Sequence, residues 1–83
     1  MYKIEVSPRA RNQLRKLKIK YRFSISAIID DLKEDPFIGK PLSRDFLGRY
    51  SYRVGFYRII YRINIKENLV EIITAGHRSV IYN

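Results

Sequence analysis

Arginine stands in this chain where a strand selected for stability alone would not carry it. Residues 49–54 (Arg-Tyr-Ser-Tyr-Arg-Val) and 57–63 (Tyr-Arg-Ile-Ile-Tyr-Arg-Ile) both alternate with period two. Between them, Gly55-Phe56 suits a tight turn with glycine at its first central position. That turn sets Val54 against Tyr57, Arg53 against Arg58, Ser51 against Ile60 and Arg49 against Arg62. One face of the hairpin then bears two cross-strand arginine pairs. Like charges placed directly opposite cost a sheet ~0.2–1 kcal/mol per pair. The arrangement suits an anion, because a guanidinium keeps its charge and its planar fork donates two bonds to phosphate. Arg53 and Arg58, beside the turn, form the candidate phosphate site, and Arg49 and Arg62 extend it. The alternative is that these side chains spread into water or pair with Asp45, Glu67 or Glu71. A one-residue slip in register would turn this face over.

Few other side chains could do chemistry. His77 is the single histidine, and a side chain with a normal pKa of ~6.5 suits proton exchange near neutrality. The bland reading is a histidine that only orders its loop. One histidine and no cysteine cannot assemble the usual zinc shell, so the sequence predicts neither metal nor other cofactor. A second basic surface runs from Arg9 to Arg22, with Arg11, Arg15 and Lys18 at helical spacing. A solvated helix face is its default reading; against structural RNA it would give affinity without base choice.

Seventeen Lys and Arg against eight Asp and Glu leave a net charge of +9 over 83 residues. So one-sided a surface attracts polyanions. The length allows one small domain, residues 1–83, with a thin stability margin. The absence of cysteine fits a reducing compartment. The first residues lack the apolar run of a signal peptide, and no stretch is long enough to span a bilayer. The expectation is a cytoplasmic protein with no membrane partner.

The elements that must position these residues follow from periodicity. Tyr2, Ile4 and Val6 alternate with charged neighbours as in a half-buried strand. Ser7-Pro8 reads as an N-cap followed by proline at the first helical position. Ala10, Leu14 and Leu17 form the apolar stripe of a first helix. Ile25, Ile28, Ile29 and Leu32 form that of a second, predicted to begin near Ser24 and to stop at Asp35-Pro36. Residues 36–47 read as a loop. The hairpin strands follow, the second reaching about Ile65, with Tyr57, Ile59, Tyr61 and Ile63 on one face. After a turn over 64–68, a last strand runs from Leu69 to Ala75. The order β-α-α-β-β-β predicts an α+β two-layer domain: a twisted, largely antiparallel sheet with a helical hairpin on one face.

With these elements in place, the chain resembles a known family. Gly39-Lys40-Pro41-Leu42, the run from Leu47 through Ile63 and the ending Gly76-His77-Arg78-Ser79-Val80-Ile81-Tyr82 are similar to the signature of RelE-like toxins of the RelE/ParE superfamily. The strand and helical hairpin before them match the family's order, so the resemblance covers essentially the whole chain. It implies the toxin of a type II toxin–antitoxin system, in the branch that cuts mRNA at the ribosomal A site without a metal. In that chemistry the ribose 2′-OH attacks the adjacent phosphate, leaving a 2′,3′-cyclic phosphate and a 5′-hydroxyl. Carried over by position, Arg58 contacts the scissile phosphate and Arg53 stands where lysine is frequent. Arg78 lies near the leaving group, and Tyr82 stacks on a base and orients the 2′-OH. Ser51 falls at another position that is often lysine, keeping a hydrogen-bond donor without the charge. An arginine at 53, with a pKa above about 12, is a poor proton acceptor, so the general base stays open. The resemblance further implies a RelB-like antitoxin encoded nearby, with the ribosome and mRNA as targets. Two rival functions share the fold: a ParE-like inhibitor of DNA gyrase, and a basic RNA-binding module without catalysis.

Overall fold

A computed structural model describes residues 1–42 and 48–77, positions 54 and 77 through their backbone alone. Strand β1 (Lys3–Val6) leads into α1 (Pro8–Arg15) and α2 (Ile19–Glu34). A 3-10 turn (Pro36–Ile38) and the two-residue β2 (Lys40–Pro41) follow. Then come β3 (Arg49–Val54), β4 (Tyr57–Asn64) and β5 (Leu69–His77). The sheet order is β1-β5-β4-β3-β2, with β1 parallel to β5 and every other pair antiparallel. The α+β fold expected from periodicity is the fold observed.

Three of the predicted boundaries move, the last strand running on to His77 where Ala75 was expected to end it. The second helix starts at Ile19, not near Ser24. Its first residues present Ile19 and Phe23 to solvent, and before Ile25 its inward face is carried by Tyr21 alone, half-buried against the core, so the aliphatic stripe that marks a helix in sequence begins only at Ile25. Consequently α1 ends at Arg15, and Lys18 is the N-cap residue of α2, not a member of the α1 face. Arg22 joins the two helices: its Nε donates to the Leu17 carbonyl at 3.0 Å and its Nη2 to that of Arg15. The second correction concerns residues 36–47, read as a loop. The described part contains the 3-10 turn and β2, elements too short to show a period.

The N-terminal signals act as their chemistry requires. The Ser7 Oγ accepts from the Ala10 N–H at 3.0 Å, capping α1, and donates to the Ile73 carbonyl at 2.7 Å. Ala10, Leu17, Ile25, Ile28 and Leu32 from the helical layer bury against Ile59, Tyr61, Val70, Ile72 and Ala75 from the sheet. Ile72 and Ala75 are three residues apart and would lie on opposite faces of a regular strand. A bulge reconciles them, for Ile60 pairs with Thr74 whereas Tyr61 pairs with Ile72. Beyond Ile72, β5 has no strand beside it on the β1 side among the described residues. There Gln13 of α1 covers the edge, its Oε1 accepting from the Ala75 N–H and the Thr74 hydroxyl, both at 2.8 Å.

Candidate functional site

The hairpin adopts the register its turn chemistry predicts. Arg53 pairs with Arg58, Ser51 with Ile60 and Arg49 with Arg62, and Gly55 takes φ +57° at the first position of the turn. Alternation places these residues on the outer face of the sheet, because Ile59 and Tyr61 point into the helical layer. The two arginine rows differ in what lies beside them. The Arg49–Arg62 row continues across β5 and β1 to Glu71 and Glu5, so Arg62 has a carboxylate as its cross-strand neighbour. The Arg53–Arg58 row ends on Gly76. Positive charge is therefore concentrated at the turn end of the hairpin. Arg58 is half-buried with its Nε enclosed, whereas Arg53 is exposed.

Arg53, Arg58 and Ser51 line one open groove of about 490 Å³, together with Lys40, Ile38 and Leu42. Its second wall comes from the segment before β3, and a buried tyrosine holds that wall in place. The Tyr61 hydroxyl donates to the Pro36 carbonyl at 2.6 Å and accepts from the Gly39 N–H at 3.1 Å. Gly39 passes so near that a Cβ there would sit 2.1 Å from the Tyr61 oxygen. Tyr61 also stacks on Tyr50, with ring centroids 5.6 Å apart. Burial above all, with Tyr50, Asp35 and Tyr52 nearby, pushes its hydroxyl up to about 12 against the lowering effect of the Gly39 hydrogen bond. It is a neutral strut at any ordinary pH. So anchored, β2 pairs Lys40 with Ser51 and Pro41 with Tyr50, which sets Lys40 on the arginine face.

Lys40 was not among the residues singled out by alternation. A two-residue strand has no pattern; the one available signal was its place in the Gly39-Lys40-Pro41-Leu42 motif. Tyr61 was expected on the inner face, where it lies, but its polar partners are 22 and 25 residues away. No local spacing announces them.

Of the other candidates, Arg11, Arg15 and Lys18 are not gathered at the groove. Arg78 and Tyr82 lie outside the described residues, as does Asp45. β5 continues through Gly76, and position 77 pairs with Tyr57 while Gly76 pairs with Arg58. His77 is thus one register step beyond the arginine row. Arg11, Arg15 and Lys18 belong to the helical layer, on the other side of the sheet. Arg11 and Arg15 border a shallow groove of about 360 Å³ with Leu14, Arg22, Ile25 and Ile29.

Comparison with known proteins agrees with this fold. Residues 4–82 match the family described as the ParE toxin of the type II toxin–antitoxin system parDE. The toxin RelG of Mycobacterium tuberculosis is 35% identical across 98% of this chain and 95% of its own length. A toxin–antitoxin complex of the RelBE type from the same organism superposes with a TM-score of 0.79 at 34% identity, covering 93% of this chain and 98% of that one. The isolated RelE toxin of E. coli gives a TM-score of 0.82 at 24% identity, over 99% of this chain and 92% of that one. At the latter identity the likeness speaks for the fold.

Proposed function

We propose that this chain, which belongs to the ParE toxin family and with it to the RelE/ParE superfamily of type II toxins, cleaves mRNA on the ribosome. The reading rests on one observation: two arginines from adjacent strands stand directly opposed and line a single groove together with Ser51. In the reaction, the ribose 2′-oxygen forms a bond to phosphorus and loses its proton. The bond from phosphorus to the 5′-oxygen breaks, and that oxygen takes up a proton. Charge develops on the non-bridging oxygens, and preorganised donors aimed at it lower the barrier. Arg58 and Arg53 supply those donors, and Ser51 adds a neutral one. Arg78 stabilises the leaving oxygen and Tyr82 stacks on a base to orient the 2′-OH. His77 is the candidate for moving a proton. Arg49 and Arg62 bind neighbouring phosphates, Arg62 more weakly because Glu71 faces it. No metal or other cofactor enters this scheme.

The test is cleavage of a defined mRNA on programmed ribosomes, with the ends of the fragments identified. Cyclic-phosphate ends are expected, and Arg58→Ala should lower the single-turnover rate by about 10²–10³ with its melting temperature little changed. The family that matches is described by its ParE members, which favours gyrase inhibition as the second reading. Intact mRNA together with blocked supercoiling would establish that reading and remove the nuclease. Tight, salt-sensitive RNA binding without cleavage would leave only the non-catalytic module.

A RelB-like antitoxin is the proposed protein partner, since related toxins were crystallised in complexes named RelBE and RelE–RelB. On the helical layer, Arg11, Arg15 and Arg22 rim an apolar floor of Leu14, Ile25 and Ile29, with Ile19 and Phe23 exposed alongside. That chemistry suits an acidic amphipathic segment. Arg11, Arg15 and Lys18 would meet ribosomal RNA on the same surface, so antitoxin and ribosome would compete for it. Growth arrest on expression of this chain, relieved by a neighbouring acidic reading frame, is the expected outcome.

A further inference from the structure

We propose that Lys40 is a third cationic contact of the groove, holding a phosphate next to the one gripped by Arg53 and Arg58. The inference rests on the nuclease reading and deepens it by assigning an RNA contact to a strand so far without a role. Three observations carry it. Lys40 is exposed and pairs with Ser51 in the strand neighbouring the hairpin, on the arginine face. It lines the same groove as Arg53 and Arg58. Its backbone is fixed by interactions that do not involve its own side chain: Gly39 is held against the Tyr61 hydroxyl, and the Leu42 N–H donates to the Arg49 carbonyl at 2.8 Å. A flexible ammonium on a rigid strand suits a backbone phosphate, which needs charge more than a fixed fork. The two arginines lie on one wall of the groove and Lys40 on the other, so a strand seated between them presents phosphates to both. Ile38 and Leu42, on the Lys40 side, offer apolar surface to the sugar that links them.

The experiment compares the wild-type chain with Lys40→Ala, Lys40→Gln and Lys40→Arg. Each is titrated, over a range of salt, with a short single-stranded RNA made uncleavable by 2′-O-methyl groups on all its sugars. Losing one phosphate contact should reduce the slope of log affinity against log salt by ~0.7. It should also weaken binding about five- to tenfold at low salt. Lys40→Ala and Lys40→Gln should show both effects and Lys40→Arg neither, with the melting temperature unchanged throughout. An unchanged slope in Lys40→Ala overturns the inference, as does a failure of the wild-type chain to bind this RNA. Cleavage on ribosomes, followed in parallel, separates the two readings. Wild-type cleavage with an unaltered slope in Lys40→Ala removes Lys40 alone. Salt-sensitive binding through Lys40 without any cleavage removes the nuclease and keeps the contact.

Discussion

A single hydroxyl ties the two walls of the groove together. Tyr61 is fully enclosed, and its oxygen serves a carbonyl and an amide of the segment that leads into β2. Tyr61→Phe keeps the ring and removes both bonds, stranding a buried carbonyl. The cost should be about 1–3 kcal/mol by chemical denaturation. The pH dependence has a definite sign. The Tyr61 hydroxyl is raised to about 12 in the folded chain, against ~10 for an ordinary tyrosine. Its contribution is therefore complete below pH ~10 and is lost as the pH climbs toward 12. Melting curves across that window should fall more steeply for the wild type than for Tyr61→Phe. Equal slopes would mean that this hydroxyl titrates normally.

At the scale of elements, the hairpin and the end of β5 show opposite economies. The hairpin carries a repulsion it does not need for folding, since Arg53 faces Arg58 across β3 and β4. Arg53→Thr should raise stability by ~0.2–1 kcal/mol and lower RNA cleavage in the same preparation. A protein both less stable and fully active would show that the pair is structural. The end of β5 has the reverse need. Among the described residues no strand lies on its β1 side past Ile72, and Gln13 accepts the Ala75 amide there. Gln13→Ala should expose that edge, and hydrogen exchange at the Ala75 amide should speed up well before that of β4. Unchanged protection would mean that the helix contact is incidental.

For the whole molecule, the decisive quantity is the distribution of a charge of +9 over two separate surfaces. One lies on the outer face of the sheet and one on the helical layer, with the core between them. A polyanion that engaged only the groove would release few counterions. One that wrapped both surfaces would show a slope near −0.7 for every phosphate neutralised on a single strand. Removing Arg11 and Arg15 together should therefore flatten the salt dependence of ribosome binding and leave cleavage of bound mRNA unaltered. Equal losses in both measurements would place the helical surface within the reacting site.

Much of this protein can be read from local order alone. Period two in residues 49–63 and a glycine at the turn determine which arginines face each other, because side chains alternate and the turn sets the register. The apolar stripes of Ala10 and Leu14 and of Ile25 to Leu32 likewise determine two helices against one sheet. What only the tertiary structure decided is where distant pieces meet. The sequence by itself does not bring Gly39 under Tyr61, Gln13 to the edge of β5, or Lys40 beside Ser51. Each of these contacts joins residues too far apart, or elements too short, for any period to record. They arise from closing the chain around a common core, and that closure builds the second wall of the groove.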